Sequence, residues 1–207
     1  MANIEMANIE KYHHGHLRET LIREAWKQIE QGGAIALNLS KLAKTIGVSQ
    51  PAVYRHFSSK QALTISVAQK GLEQLAEALQ SATQGTEENT LACIEAITRA
   101  YVEFALNNSE ITRLMFSMRE RTSNLALQTA SKTASVPLYH IAELAQQADR
   151  LRNRDVAQTV RILWSTIHGL SMLLMDEQMP DVTRSSAELS RYIEATAQTL
   201  HTGLFAA

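Results

Sequence analysis

Cysteine is almost absent from this chain. Cys93 stands alone, so no intramolecular disulfide framework is available and a reducing compartment is expected. Prolines number three and glycines eight in 207 residues, and aromatic residues make up only 5%. Ala, Leu, Glu, Gln and Arg are abundant instead, so an all-α protein is the first expectation. No apolar run reaches the ~18 residues needed to span a bilayer, and no membrane partner is expected. The opening MANIEMANIE lacks the basic flank and apolar core of a secretory signal, which points to the cytoplasm. Catalytic signatures are missing too. There is no nucleotide-phosphate loop, paired-carboxylate motif or HExxH zinc motif. Cys93 has no nearby basic activator, and His168 alone makes no catalytic group. His13, His14 and His16 have no carboxylate or thiol at a ligand spacing. No enzyme, cofactor or metal is expected.

The near-zero net charge, −1, hides an uneven division. From Lys11 to Lys70 nine Lys and Arg stand against three Glu, whereas residues 71–207 hold eleven basic and sixteen acidic residues. A basic first third on an acidic remainder suggests that only the first part meets a polyanion.

The basic part contains Leu39 to Leu63, LSKLAKTIGVSQPAVYRHFSSKQAL. Ser40 is a candidate cap for a short helix with Leu42, Ala43 and Ile46 on one face. Gly47 stands where that helix must stop and can take the left-handed conformation. Ser49 then caps a second helix with Pro51 in its first turn, where a missing N–H costs nothing. Small Ala43 and Gly47 are expected to let the two helices cross closely over Val53. This is the helix-turn-helix pattern, whose second helix enters the major groove of DNA.

Around it the chain reads as helices. Residues 1–10, a repeated MANIE, are expected to be disordered, and Lys11 to His16 is read either as a basic arm along DNA phosphates or as a solvated tail. Leu17–Gln31 is amphipathic and ends at Gly32-Gly33. Ile35, Leu37 and Leu39 are expected to plug the base of the small domain. Ser58 and Gln61 form a capping-box pattern that opens a helix to about Ala82, roughly 35 Å long by its rise per residue. The domains are therefore expected at 11–70 and 71–207. In the second, helices are expected near 88–106, 109–118, 122–151 with an interruption or kink at Pro137, 155–178 and 186–204. The basic turn RLRNR at 150–154 is expected to be a solvated corner. Ile162–Met175 is apolar on almost every side, so it must be covered on every side. Leu163, Ile167, Leu170 and Leu174, with Leu189, Ile193 and Leu200 of the final helix, are expected to form a four-helix homodimer interface.

YHHGHLR, LNLSKLAKTIGVSQPAVYRHF and SSKQAL, spread over residues 12–65, resemble the DNA-binding domain of TetR-type transcriptional regulators. Trp164-x-x-x-His168-Gly169 further resembles the subgroup of that family named for its Trp-His-Gly motif. The resemblance implies an N-terminal helix-turn-helix domain joined to a larger helical dimerisation and ligand domain. It also implies a palindromic operator in double-stranded DNA and a repressor released by a small-molecule effector, here expected to be largely apolar. A ligand-independent architectural DNA-binding protein is the alternative.

On that resemblance, Gln50, Pro51, Ala52, Tyr54, Arg55 and His56 are the exposed recognition-helix positions. Gln50 suits an adenine, Arg55 a guanine or phosphate, and Pro51 and Ala52 a thymine methyl. Tyr54 and His56 match positions near the helix end that touch backbone or bases, although packing is a competing role for Tyr54. Lys60 matches the phosphate-binding lysine of the family, and Ser40, Lys41 and Lys44 are further phosphate candidates. An effector pocket is expected among Tyr101, Phe104, Met115, Phe116, Met118, Tyr139, Trp164 and His168, with plain core as the competing role for each.

Overall fold

The computed structural model describes the backbone of residues 2–86 and 89–206, and the side chains of that set except 2–15 and 121. The helices are α1 (Ala2–Gly32), α2 (Leu39–Thr45), α3 (Gln50–His56), α4 (Lys60–Ala82), α5 (Thr90–Asn107), α6 (Ser109–Ser117), α7 (Leu125–Gln147), α8 (Val156–Met175), α9 (Pro180–Thr183) and α10 (Ser186–Leu204). Three-ten turns cover Ala34–Ala36 and Arg119–Thr122. The described residues hold no strand beyond one isolated bridge, Leu151 to Phe205, and no helix long and apolar enough to cross a membrane.

The chain separates into two compact units, Met1–Gly71 with Glu110–Arg119, and Leu72–Ser109 with Glu120–Ala207. The expected division placed Glu110–Arg119 in the C-terminal domain; in the structure this segment joins the N-terminal unit. Helix α1 begins at Ala2 rather than near Leu17, so the repeat expected to be disordered continues the helix from that point. Nothing in that repeat is a helix breaker. The side chains of Lys11 to Gly15, and with them the expected basic arm, lie outside the described residues.

In the first unit Leu21, Ala25 and Ile29 of α1 are fully buried, as are Leu42, Val53, Leu63 and Val67. Leu37 and Leu39 join them, but Ile35 is 90% exposed, which corrects the expected plug. Its three-residue turn follows Gly33 at φ +72° and buries none of its residues.

The cap of α2 is Asn38, not Ser40: its side chain accepts a hydrogen bond from the Lys41 amide at 2.9 Å. Ser40 lies one residue inside the helix, too late to serve the first free amides. Asn38→Ala is expected to cost about 1 kcal/mol, and Ser40→Ala only a few tenths, in urea unfolding followed by circular dichroism. Equal midpoints for the two variants would count against Asn38 as the cap. Similarly, Ser59 rather than Ser58 caps α4, its Oγ accepting from the Ala62 amide at 3.1 Å.

In the second unit α5 is the central helix, with α8 and α10 packed on it and α7 packed on α8. Val102, Leu170, Leu174, Val182 and Ile193 make one buried cluster where α5, α8, α9 and α10 meet. Helix α7 continues through the buried Pro137 without interruption. The RLRNR turn is exposed at Arg150 and at Arg152, Asn153 and Arg154, the solvated corner expected, and it also clasps the end of α10. The Arg152 amide donates to Leu204 O at 3.0 Å, the Ala206 amide to Arg150 O at 2.7 Å, and Arg152 Nε to Phe205 O at 2.9 Å. These bonds hold Phe205, 2% exposed, in the core.

Candidate nucleic-acid interface

The turn between α2 and α3 is built from backbone hydrogen bonds around Gly47. The Val48 amide donates to Ala43 O at 3.0 Å and the Gly47 amide to Lys44 O at 3.3 Å, with Gly47 at φ +72°. This pair of bonds closes the end of α2, and it needs a residue that tolerates the left-handed region. A Cβ on Gly47 would meet no atom within 4 Å. The glycine is therefore there for its backbone conformation and not, as expected, for close helix crossing. Ser49 stands at the N-cap of α3 in extended conformation without a side-chain cap bond, and Pro51 occupies the first turn.

Burial divides the α3 residues. Val53 is fully buried and Ala52 is 6% exposed, so Ala52 belongs to the helix-turn-helix core and cannot reach a thymine methyl as expected. Gln50, Pro51, Tyr54 and Arg55 are exposed and His56 is half-buried. Tyr54, at 48% exposure, is a surface side chain rather than packing. Ser40, Lys41 and Lys44 on α2 are exposed as well. Lys41, Lys44 and Arg55 make no ion pair among the described residues. Arg113, by contrast, is paired with Glu110 at 2.7 Å. Lys60, exposed at the start of α4, donates through Nζ to Ile35 O at 3.2 Å. This contact ties α4 to the Ala34–Ala36 turn and holds the ammonium in place beside a helix start, where an anion is favoured.

Three residues that hold the interface escaped the sequence reading. Arg18 of α1 lies over the Phe57 ring at 5.2 Å and donates to Ser66 Oγ at 3.2 Å, linking α1 to both ends of the α3–α4 joint. Glu30 accepts the Ile111 amide at 2.9 Å and so caps α6 from α1. Gln28, 5% exposed, accepts the Asn38 amide at 3.0 Å and positions the start of α2. Spacing alone marks these residues as the polar side of α1, and only the fold supplies their partners: Gln28 is buried, Glu30 half-buried and Arg18 exposed.

The expected pocket residues do not form one group. Met115 is fully buried in the first unit, where its Sδ would lie 2.6 Å from a Cβ on Gly71. Phe116 and Met118, both half-buried, also belong to that unit. Tyr139 is 39% exposed on α7 and Phe104 is buried on α5. Tyr101, Trp164 and His168 do meet. The Tyr101 hydroxyl is 3.0 Å from His168 Nδ1, and the Tyr101 ring is edge-on to Trp164 at 5.6 Å between centroids. Trp164 and His168 keep partial exposure beside the buried tyrosine.

The expected dimer residues require a correction. Leu163, Ile167, Leu170, Leu174, Ile193 and Leu200 are all at or below 7% exposure within a single chain, and Leu189 packs on the same cluster. They fill the subunit's own core because α8 and α10 both turn these faces to α5. The faces left open carry Leu173 on α8 and Tyr192 on α10, at 48% and 40% exposure. Gly169 and Gly203 lie on the same two helices, with open space where a Cβ would stand.

Two family profiles match the chain. One, described as bacterial regulatory proteins of the tetR family, covers residues 21–67. The other, described as the tetracyclin repressor-like C-terminal domain, covers residues 94–196. Among curated relatives, the nucleoid occlusion factor SlmA of Haemophilus ducreyi is 29% identical over 133 residues, 63% of this chain and 64% of that protein. The HTH-type transcriptional activator FasR of Mycolicibacterium smegmatis is 32% identical over 84 residues, 41% of this chain and 38% of that protein. The chain thus spans less than two thirds of the length of either. A protein of unknown function from Rhodococcus sp. RHA1 superposes with a TM-score of 0.81 at 28% identity, over 93% of this chain and 97% of that one. The TetR-family regulator PfmR of Thermus thermophilus shares the fold, with a TM-score of 0.63 at 19% identity over 87% and 96% of the two chains.

Proposed function

The chain belongs to the TetR family of bacterial regulatory proteins, and on that premise we propose that it regulates transcription as a homodimer on a palindromic DNA operator, as a repressor released by a small molecule. The observation that carries the DNA reading is the exposed edge of the helix-turn-helix. Gln50, Tyr54 and Arg55 stand on it, flanked by Lys41 and Lys44, with all three cations unpaired among the described residues. Side chains left without partners on a helix of groove-fitting size are available to base edges and phosphates.

A single seven-residue recognition helix reads too few bases for specificity, so two copies are needed. The open faces of α8 and α10, with Leu173 and Tyr192, are the surface we assign to the second copy. Release is assigned to α6. This helix is fastened to the DNA-binding unit by Glu30 and by its close packing under Gly71, so a ligand that displaces it would shift α1 and α4 and with them α3. The name of one relative, a transcriptional activator, keeps the opposite sign of regulation in view. That of another, a nucleoid occlusion factor, keeps in view a DNA-binding role without an effector.

Footprinting and anisotropy titrations on the DNA flanking the gene test the reading. A protected palindrome is expected at low salt. Gln50→Ala should weaken the specific site about tenfold or more and relax the preference for one base pair, a discrimination of ~1–3 kcal/mol. Lys44→Ala should weaken specific and non-specific DNA alike and lower the salt slope by about one. Absence of any protected site at low salt would remove the proposal.

A further inference from the structure

The second unit holds a cleft of about 340 Å³ where the ends of α5 and α8 meet α9. Leu106, Leu174, Met175 and Pro180 line it together with the polar Ser109, Thr183 and Glu177, and of these Glu177, Pro180 and Thr183 are exposed. We propose that this cleft binds a small organic monocation with an apolar body, and that Glu177 receives the charge. As the site of a releasing effector, it rests on the regulator reading above.

Two observations point to a cation. Glu177 sits at φ +53°, directly after α8, and its backbone completes the helix end: its amide donates to Leu174 O at 3.2 Å and the next amide, of Gln178, to Leu173 O at 2.9 Å. That position favours glycine, and a side chain there costs free energy. The same strained position after α7 is taken by Asp149, whose carboxylate pairs with Arg154 at 2.8 Å and so has a structural use. Glu177 has no such use. Its carboxylate makes no hydrogen bond or ion pair among the described residues, whereas Glu188 takes both Arg184 and Arg191. A carboxylate kept at a strained position, unpaired, and beside the aliphatic side chains of Leu106, Leu174 and Met175 is complementary to an amine carried on a hydrocarbon body.

The cleft's place in the chain gives binding a consequence. Ser109, which lines it, is the first residue of α6, and the next residue, Glu110, already belongs to the DNA-binding unit. An occupant that touches Ser109 therefore acts on the start of the helix assigned to release.

Calorimetric titration of the full-length protein with octylammonium, octanoate and octanol tests the site. Octylammonium is expected to bind saturably, one per chain and at least tenfold tighter than octanoate, with octanol between them. Glu177→Gln should bring the three probes to near equality. Thr183→Trp, which fills the cleft, should abolish binding of all three while the melting temperature confirms a folded chain. No saturable binding of octylammonium, or an unchanged preference in Glu177→Gln, would overturn the site. A parallel DNA titration addresses release: octylammonium at saturation should weaken the operator complex at least tenfold in the parent and not in Glu177→Gln. Binding retained with DNA affinity unmoved overturns the effector assignment. A protein that binds octylammonium but no DNA instead removes the regulator reading and leaves the cleft's chemistry standing.

Discussion

Phe57→Ala is expected to lower the stability of the DNA-binding unit by about 3–5 kcal/mol, the usual cost of emptying a buried phenylalanine site. The ring is 3% exposed and stands at the end of α3, where its own amide closes that helix on Val53 O at 3.0 Å. Arg18 covers the ring at 5.2 Å and is tied in turn to Ser66 at 3.2 Å, so the site is walled by α1, α3 and α4 together. Such a site cannot collapse around a smaller side chain without moving α3. Arg18→Ala should cost only about 1 kcal/mol, because the guanidinium is exposed and the cation–π attraction is correspondingly modest. Phe57→Leu should recover most of the loss. Set against a total of about 5–15 kcal/mol for a typical domain, the alanine change is large. Urea unfolding of the three variants checks the order. A Phe57→Ala loss below that of Arg18→Ala would show that the ring is not the keystone of the joint.

The legible features share one property: they depend on neighbours in sequence. The stop at Gly47, the proline in the first turn of α3, the cap position at Ser49 and the extent of α4 to Ala82 all follow from local backbone chemistry. The exposed edge of α3 is mostly legible for the same reason, with Ala52 the exception. Ala52 faces inward because α2 and α3 cross against it, and a small residue carries no signal of its own side. The dimer residues fail on a different ground. A helix apolar all round announces that it is covered but not by what, and α5 claims the very face assigned to a second copy. The expected pocket fails for a third reason. In sequence, the helices expected near 88–106 and 109–118 are both assigned to the larger domain, while the chain passes from one unit to the other at 109–110. Polar residues of α1 such as Glu30 and Arg18 are invisible because their partners lie 81 and 48 positions away.

Gly71 is where the junction of α4 with α6 can be tested by a single atom. A Cβ there would lie 2.6 Å from Met115 Sδ and 2.7 Å from Ile111 Cγ2. Two opposing effects set the sign of Gly71→Ala. Replacing glycine inside a helix gains about 1 kcal/mol of propensity. Overpacking costs ~1–3 kcal/mol, less where the neighbour can move. The sulfur of Met115 is near the end of a flexible side chain and can yield. Ile111 cannot, since its Cγ2 branches at the β-carbon and its amide is bound to Glu30 at 2.9 Å. The clash with Ile111 therefore decides the outcome. Gly71→Ala should be destabilising by about 1 kcal/mol despite its better propensity, and Gly71→Val by about 2–3 kcal/mol, as a second branch meets the same atoms. Ile111→Ala removes the obstructing methyl, so its combination with Gly71→Ala should cost clearly less than the two changes summed, with a coupling of about 1 kcal/mol or more. If Gly71→Ala proves more stable than the parent, α6 yields readily and cannot transmit displacement to α4. If the expected order holds, α6 and α4 move as one, and whatever shifts the first residues of α6 must also shift the helix on which α3 is carried.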